Sequence, residues 1–176
     1  MTEAPPLAER SGSRPHVADT DFESFYLGQR VRLFRALVVV TRDVHAAEDV
    51  AQEAFVRVWE RWDRVRRMED PTGYLYRTAL NGWFQIHRRV VRAGRRVVPI
   101  GEALDPLTIV EERDDLARRV LDLPARQRAA LVLIEYLGYD SARAGRALGI
   151  RPGTVRRLAS KGLATLRRGH EQEEEP

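Results

Sequence analysis

Ser141-Ala142-Arg143-Ala144-Gly145-Arg146-Ala147-Leu148-Gly149-Ile150-Arg151-Pro152-Gly153-Thr154-Val155-Arg156-Arg157-Leu158-Ala159-Ser160-Lys161 is the stretch whose reading decides the fold. The spacing predicts a short helix over 141–148, a three-residue turn of Gly149, Ile150 and Arg151, and a second helix from Pro152 to Arg168. That is the outline of a helix-turn-helix, whose second helix enters the DNA major groove. Val155, Leu158, Gly162, Leu163 and Leu166 fall on one stripe of the second helix and are expected to be buried. Thr154, Arg156, Arg157, Ser160 and Lys161 then face outward with Arg151 of the turn, placed for base edges or phosphates, and arginine suits guanine best. Gly145 costs about 1 kcal/mol against alanine inside a helix, a loss that close approach of the two helices can offset. The same pattern also fits a plain helical hairpin with a basic outer face.

Charge along the chain favours the first reading. The 176 residues carry a formal net charge of +4. Residues 1–20 hold one net negative charge and Glu171–Pro176 four, so the body 21–170 holds +9. No acid lies between Asp70 and Glu102, nor between Asp140 and Glu171, whereas 102–122 carries seven acids against three arginines. Two basic tracts around an acidic stretch suggest two surfaces that each meet a polyanion, where cationic side chains gain affinity by releasing counterions. The longest apolar run is six residues, 129–134, far below the ~20 a membrane-spanning helix needs. Met1–Pro15 has no apolar core of a secretory signal, so a cytoplasmic location and no membrane insertion are expected. With no cysteine, disulfides, thiol catalysis and cysteine-ligated metals are excluded.

Upstream, apolar residues recur at helical spacing and nothing alternates as a strand does, so the chain reads as all-α. Phe22, Phe25, Tyr26, Val31, Leu33, Phe34, Leu37 and Val38 mark a first helix ending near Thr41. A second opens at the N-cap Asp43 with the stripe Ala47, Val50, Ala51, Ala54, Phe55, Val58, Trp59 and Trp62, and its other face is polar. After the loop 65–70, Pro71 starts a long third helix through Leu75, Ala79, Trp83, Ile86 and Val90. Gly94, Pro99, Gly101 and Pro106 break the pattern and mark a flexible linker. Short helices around Leu116–Leu123 and Arg126–Leu137 precede the pair described above. The division is thus a disordered arm 1–20, a first domain 21–93, a linker 94–112, a second domain 113–169 and an acidic tail 170–176.

The third helix interleaves Tyr74, Tyr76, Trp83 and Phe84 with Arg77, Arg88 and Arg89, a mixture suited to unstacked bases, although apolar stripes are more often core. Here the residues resemble a known family. Asp49-Val50-Ala51-Gln52-Glu53-Ala54-Phe55 with Val58-Trp59 resembles the second conserved region of bacterial sigma factors. Gly73-Tyr74-Leu75-Tyr76-Arg77-Thr78-Ala79-Leu80-Asn81, running to Arg88-Arg89, is similar to its promoter-melting helix. Leu123-Pro124-Ala125-Arg126-Gln127-Arg128, and Leu148-Gly149-Ile150 with Gly153-Thr154-Val155-Arg156, resemble the fourth region. Two such domains resemble the extracytoplasmic-function group, in its SigE-like actinobacterial form.

The resemblance implies a three-helix region 2 and a helix-turn-helix region 4 that together direct core RNA polymerase to promoters and support melting and initiation. It assigns Asp49, Gln52 and Glu53 to docking on the polymerase clamp helices, with region 4 toward the flap. It assigns Arg77, Asn81, Trp83, Arg88 and Arg89 to the minus-ten element as a melted strand. Arg151, Thr154, Arg156, Arg157, Ser160 and Lys161 fall to the minus-thirty-five duplex. No cofactor, metal or covalent chemistry is implied, and family members are commonly held by an anti-sigma factor. Leu80, Gln85, Arg143 and Arg157 depart from the family pattern, and so do Ala144 and Gly145.

Two other functions fit parts of the sequence. A stand-alone helix-turn-helix regulator would bind duplex DNA without recruiting polymerase. An enzyme would use His45 with Asp49 as a metal pair, or Asp49 with Glu53 as paired carboxylates, although the four histidines at 16, 45, 87 and 170 form no ligand cluster.

Overall fold

The computed structural model describes residues 17–92 and 115–173, and among the described residues every regular element is helical. The N-terminal half comprises α1 (Val17–Thr41), α2 (Val44–Trp59), the single turn α3 (Trp62–Val65) and α4 (Pro71–Arg92). The C-terminal half comprises α5 (Asp115–Asp122), α6 (Ala125–Leu131) with a π-helical extension Val132–Tyr136, α7 (Ser141–Leu148) and α8 (Pro152–Glu173).

Local chemistry sets the boundaries. α1 stops where Arg42 takes a left-handed backbone (φ 62°), and the buried Thr41 hydroxyl donates to the Asp43 carbonyl at 2.7 Å. Asp43 caps α2 as its sequence position predicts, its carboxylate accepting from Ala46 N at 3.0 Å. α4 starts at Pro71 behind Asp70, whose Oδ1 accepts from Gly73 N at 2.8 Å. Leu33, Leu37, Val58, Val65 and Leu75 are fully buried and form the first core. Leu133, Ala144 and Val155 anchor the second.

Several expectations shift. Residues 17–20, assigned to the arm, form the first turns of α1, and 170–173, assigned to the tail, continue α8. Trp62 is buried as the stripe requires but belongs to α3, after α2 has ended. Trp59 and Ile86, read as core, are exposed. The helix expected to run from Arg126 to Leu137 widens at its end: Leu137 N donates to Val132 O at 3.0 Å, five residues back. Residues 1–16, the linker 94–112 and the tail end 174–176 lie outside the described residues.

The two halves pack on each other, α4 against α7 and α1 against α6. Arg128, only 4% exposed, sits at this junction. Its guanidinium donates to the Leu121 and Leu123 carbonyls of its own half and to Val40 O at 2.8 Å in the last turn of α1. One cation therefore serves the C-terminal ends of two helices, where the backbone carries unpaired carbonyls and partial negative charge. Burial, and the nearby charge of Arg42, push it down to about 10 against the opposing effect of Asp122, and at neutral pH it remains a cation. Nearby, Arg143 grips Asp70 with two bonds of 2.6 and 2.7 Å, and its guanidinium lies 3.9 Å from the centre of the Tyr139 ring. Tyr139 meets Tyr76 of α4 edge-on at 6.0 Å.

Candidate nucleic-acid interface

Three surfaces carry the candidate residues. The first is the outer face of α2. Asp49, Gln52 and Glu53 are all exposed, and Glu53 accepts from Arg57 Nε at 2.8 Å one turn on. Val56 (49% exposed) and Trp59 (56%) continue the same stripe at three- and four-residue steps from Gln52 and Glu53. The result is an exposed apolar patch with carboxylates beside it, and an aromatic such as Trp59 is the kind of residue that interface centres favour, with charge at the rim. Sequence reasoning missed Val56 and Trp59. Trp59 was counted with the buried stripe because position 59 sits at its angular edge, next to the fully buried Val58.

The second surface is an open cleft of about 500 Å³ between the end of α2, α3 and α4. Arg57, Arg61, Arg64 and Arg77 line it with Tyr74 and Asn81. Arg61 donates to the Tyr74 hydroxyl at 3.2 Å, which fixes a guanidinium beside an aromatic ring. Of the five residues assigned to melted DNA, Arg77 and Asn81 border this cleft, while Arg88 and Arg89 stand exposed further along α4. Trp83 departs from its assignment. It is 7% exposed with its ring tilted against His87, so its face is not open to a base. Arg57, Arg61 and Arg64 were not singled out because Glu53, Glu60 and Asp63 interrupt that basic run in sequence. In the fold Asp63 pairs with Arg66 at 3.2 Å and Glu53 with Arg57, while Glu60 lines the cleft beside the four arginines.

The third surface is the helix-turn-helix. Asp140 caps α7, accepting from Arg143 N at 2.7 Å, and Gly149 ends it in the left-handed region (φ 65°). A Cβ on Gly145 would stand 2.8 Å from Ile150 O, so this glycine lets the turn fold back against α7. Val155 and Ala159 hold α8 in the core. Arg151, Arg156, Arg157, Ser160 and Lys161 are exposed as the periodicity predicts, whereas Thr154, expected to face outward, is half-buried, and Leu158, Leu163 and Leu166 of the expected buried stripe are half-buried too. Arg156 is partly engaged, donating to Ser141 Oγ at 3.2 Å.

His45 Nδ1 lies 3.8 Å from Glu48 Oε2, and among the described residues no group of three or more His, Cys, Asp or Glu residues is placed to hold a metal ion. No described helix is long and apolar enough to cross a membrane.

Comparison with known proteins agrees with this layout. The profile for Sigma-70 region 2 matches residues 26–103, reaching into the stretch read as linker, and that for Sigma-70, region 4 matches 113–166. The chain is 32% identical over 145 residues to a probable RNA polymerase sigma factor RfaY of Xanthomonas campestris, covering 74% of this chain and 35% of that protein. It is 30% identical over 147 residues to the ECF RNA polymerase sigma factor SigE of Mycolicibacterium smegmatis, covering 77% and 56%. The chain thus spans about a third of the first relative and little more than half of the second. Its fold matches that of the sigma factor RpoE of Bartonella quintana, solved in complex with the anti-sigma factor NepR, with a TM-score of 0.65 at 21% identity over 85% of this chain and 96% of that one. Both halves being matched by regions of one family, the chain belongs to the sigma-70 family, with region 2 in its first domain and region 4 in its second.

Proposed function

We propose that the chain is a transcription initiation factor of the extracytoplasmic-function type, which binds core RNA polymerase in the cytoplasm and brings it to promoters without covalent chemistry of its own. The observation that carries this reading is the coexistence of three separate surfaces with different chemistry on one chain: the acidic and apolar face of α2, the arginine-lined cleft beside α4, and the basic outer face of α8. A stand-alone DNA-binding regulator has use for the last only.

In this reading Asp49, Gln52 and Glu53, with Val56 and Trp59, dock on the polymerase. The carboxylates set orientation against a basic partner and the exposed tryptophan supplies buried area. Arg77, Asn81, Arg88 and Arg89 hold the melted minus-ten strand, joined by Arg57, Arg61, Arg64 and Tyr74 of the cleft. The cations pair phosphates, and Asn81 has the donor and acceptor needed to read a base. Trp83 supports this surface from beneath. Arg151, Thr154, Arg156, Arg157, Ser160 and Lys161 read the minus-thirty-five duplex. An anti-sigma factor is the expected regulatory partner, by analogy with the RpoE complex.

The deciding experiment mixes purified chain with bacterial core polymerase, follows co-elution, and asks for transcripts on genomic fragments that core alone ignores. Co-elution with initiation is the expected result. Sequence-specific duplex binding without co-elution would overturn it in favour of the stand-alone regulator.

A further inference from the structure

The junction between the two halves covers part of the surface assigned to melted DNA. Gly149, the turn of the helix-turn-helix, lies so close to α4 that a Cβ there would stand 3.5 Å from the Asn81 side-chain oxygen. Arg126 of α6 lies over Phe84 at 5.1 Å, one turn further along α4. The outer face of α8 and the docking face of α2 remain exposed in the same arrangement. Closure therefore crowds one of the three surfaces at Asn81, which stays half-exposed, and leaves the other two free.

Charged and polar contacts are set into this junction, across which the apolar core is continuous. Asp70 stands at the start of α4 and receives three bonds: one from the Gly73 amide and two from Arg143, 73 residues away. A Cβ at Gly73 would meet Asp70 Oδ2, so the carboxylate keeps this position only because residue 73 has no side chain. The Tyr76 and Tyr139 hydroxyls are buried at the contact with no protein partner, and both regain hydration if the halves part. Two promoter elements about two helical turns apart lie roughly 70 Å from each other along the duplex, so domains in direct contact cannot occupy both.

We infer that the Asp70–Arg143 pair is a latch that holds the free chain closed, with region 4 set against α4 beside Asn81, and that engagement of both promoter elements requires it to break. This rests on the functional reading above for what opening achieves. The closure itself is testable without polymerase or DNA.

The chain has no cysteine, so cysteines replacing the exposed Glu23 of α1 and Ala164 of α8 give a unique dye pair across the junction. The expected result is a high-transfer population for the otherwise native chain, and a rise of about tenfold or more in the open-to-closed ratio in Arg143→Glu, which sets two carboxylates face to face. The exchanged pair, Asp70→Arg with Arg143→Asp, should return most molecules to high transfer. Gly73→Ala, which displaces the Asp70 carboxylate, should open the chain with helical content unchanged, and it serves as the test if Arg143→Glu fails to fold. A native chain with low transfer, or transfer unmoved by Arg143→Glu and Gly73→Ala, overturns the latch. The opened variants should also bind single-stranded minus-ten DNA severalfold more tightly with duplex binding unchanged. Opening without any binding of DNA or polymerase would instead overturn the functional reading and leave the latch standing.

Discussion

Glycine at position 145 shows how a residue that is locally unfavourable can be required by its surroundings. Replacing it with alanine gains about 1 kcal/mol of helix propensity. The new methyl group, however, would press on the Ile150 carbonyl at 2.8 Å, and backbone has little freedom to yield. Such overpacking costs about 1–3 kcal/mol, so Gly145→Ala should lower stability by up to about 2 kcal/mol, measured by thermal unfolding, rather than raise it as helix propensity alone predicts. This glycine was legible in the sequence because it broke a helical pattern next to a turn. Arg128 was not, although its motif was noticed: its three carbonyl partners lie in α1 and around the end of α5, and nothing in the order of residues announces that one guanidinium will serve two helix ends.

At the scale of elements, each helix face does one job, and the predicted losses should separate accordingly. Reversing charge at Asp49 and Glu53 should abolish co-elution with core polymerase while helical content and duplex binding persist, since both side chains are exposed and support no core contact beyond the Arg57 pair. Arg157→Ala should weaken a preferred minus-thirty-five duplex by about 1–3 kcal/mol in a binding titration if the guanidinium is bidentate to a base; equal weakening on every duplex would assign it to phosphate. α2, α4 and the helix-turn-helix were all legible because a buried stripe at helical period needs only near neighbours in sequence. The cleft was half legible. Arg77 and Asn81 stood out in an acid-free run, whereas Arg57, Arg61 and Arg64 sit among acids in sequence and join them only through the packing of α2 and α3 beside α4.

For the whole molecule, closure depends on contacts that sequence reading cannot supply, because Asp70 and Arg143 are 73 positions apart and neither Asp70, just before α4, nor Arg143, for all its departure from the family pattern, announces its partner. Burial alone would raise the Asp70 carboxyl, but the bonds from Arg143 and Gly73, with the charges of Arg143 and Arg146, hold it below its ordinary value of 3.8. A group depressed in the closed state stabilises that state above its ordinary value, and the contribution is lost as pH falls through the depressed one. Energy transfer across the junction should therefore stay flat from pH 8 to pH 5 and fall only below about pH 4, whereas a histidine-driven latch would give way near pH 6.

The π-helical stretch Val132–Tyr136 bears on how the two halves meet. A widened turn holds one residue more than an α-helical turn does. Deleting Glu135, which is exposed, would turn everything downstream by about 100° about the helix axis, shifting the buried Leu137 and carrying the Tyr139 ring off Tyr76. One residue in one turn thus sets the register on which both the packing of α6 against α8 and the meeting of the halves depend, and a one-codon deletion should cost stability as well as closure.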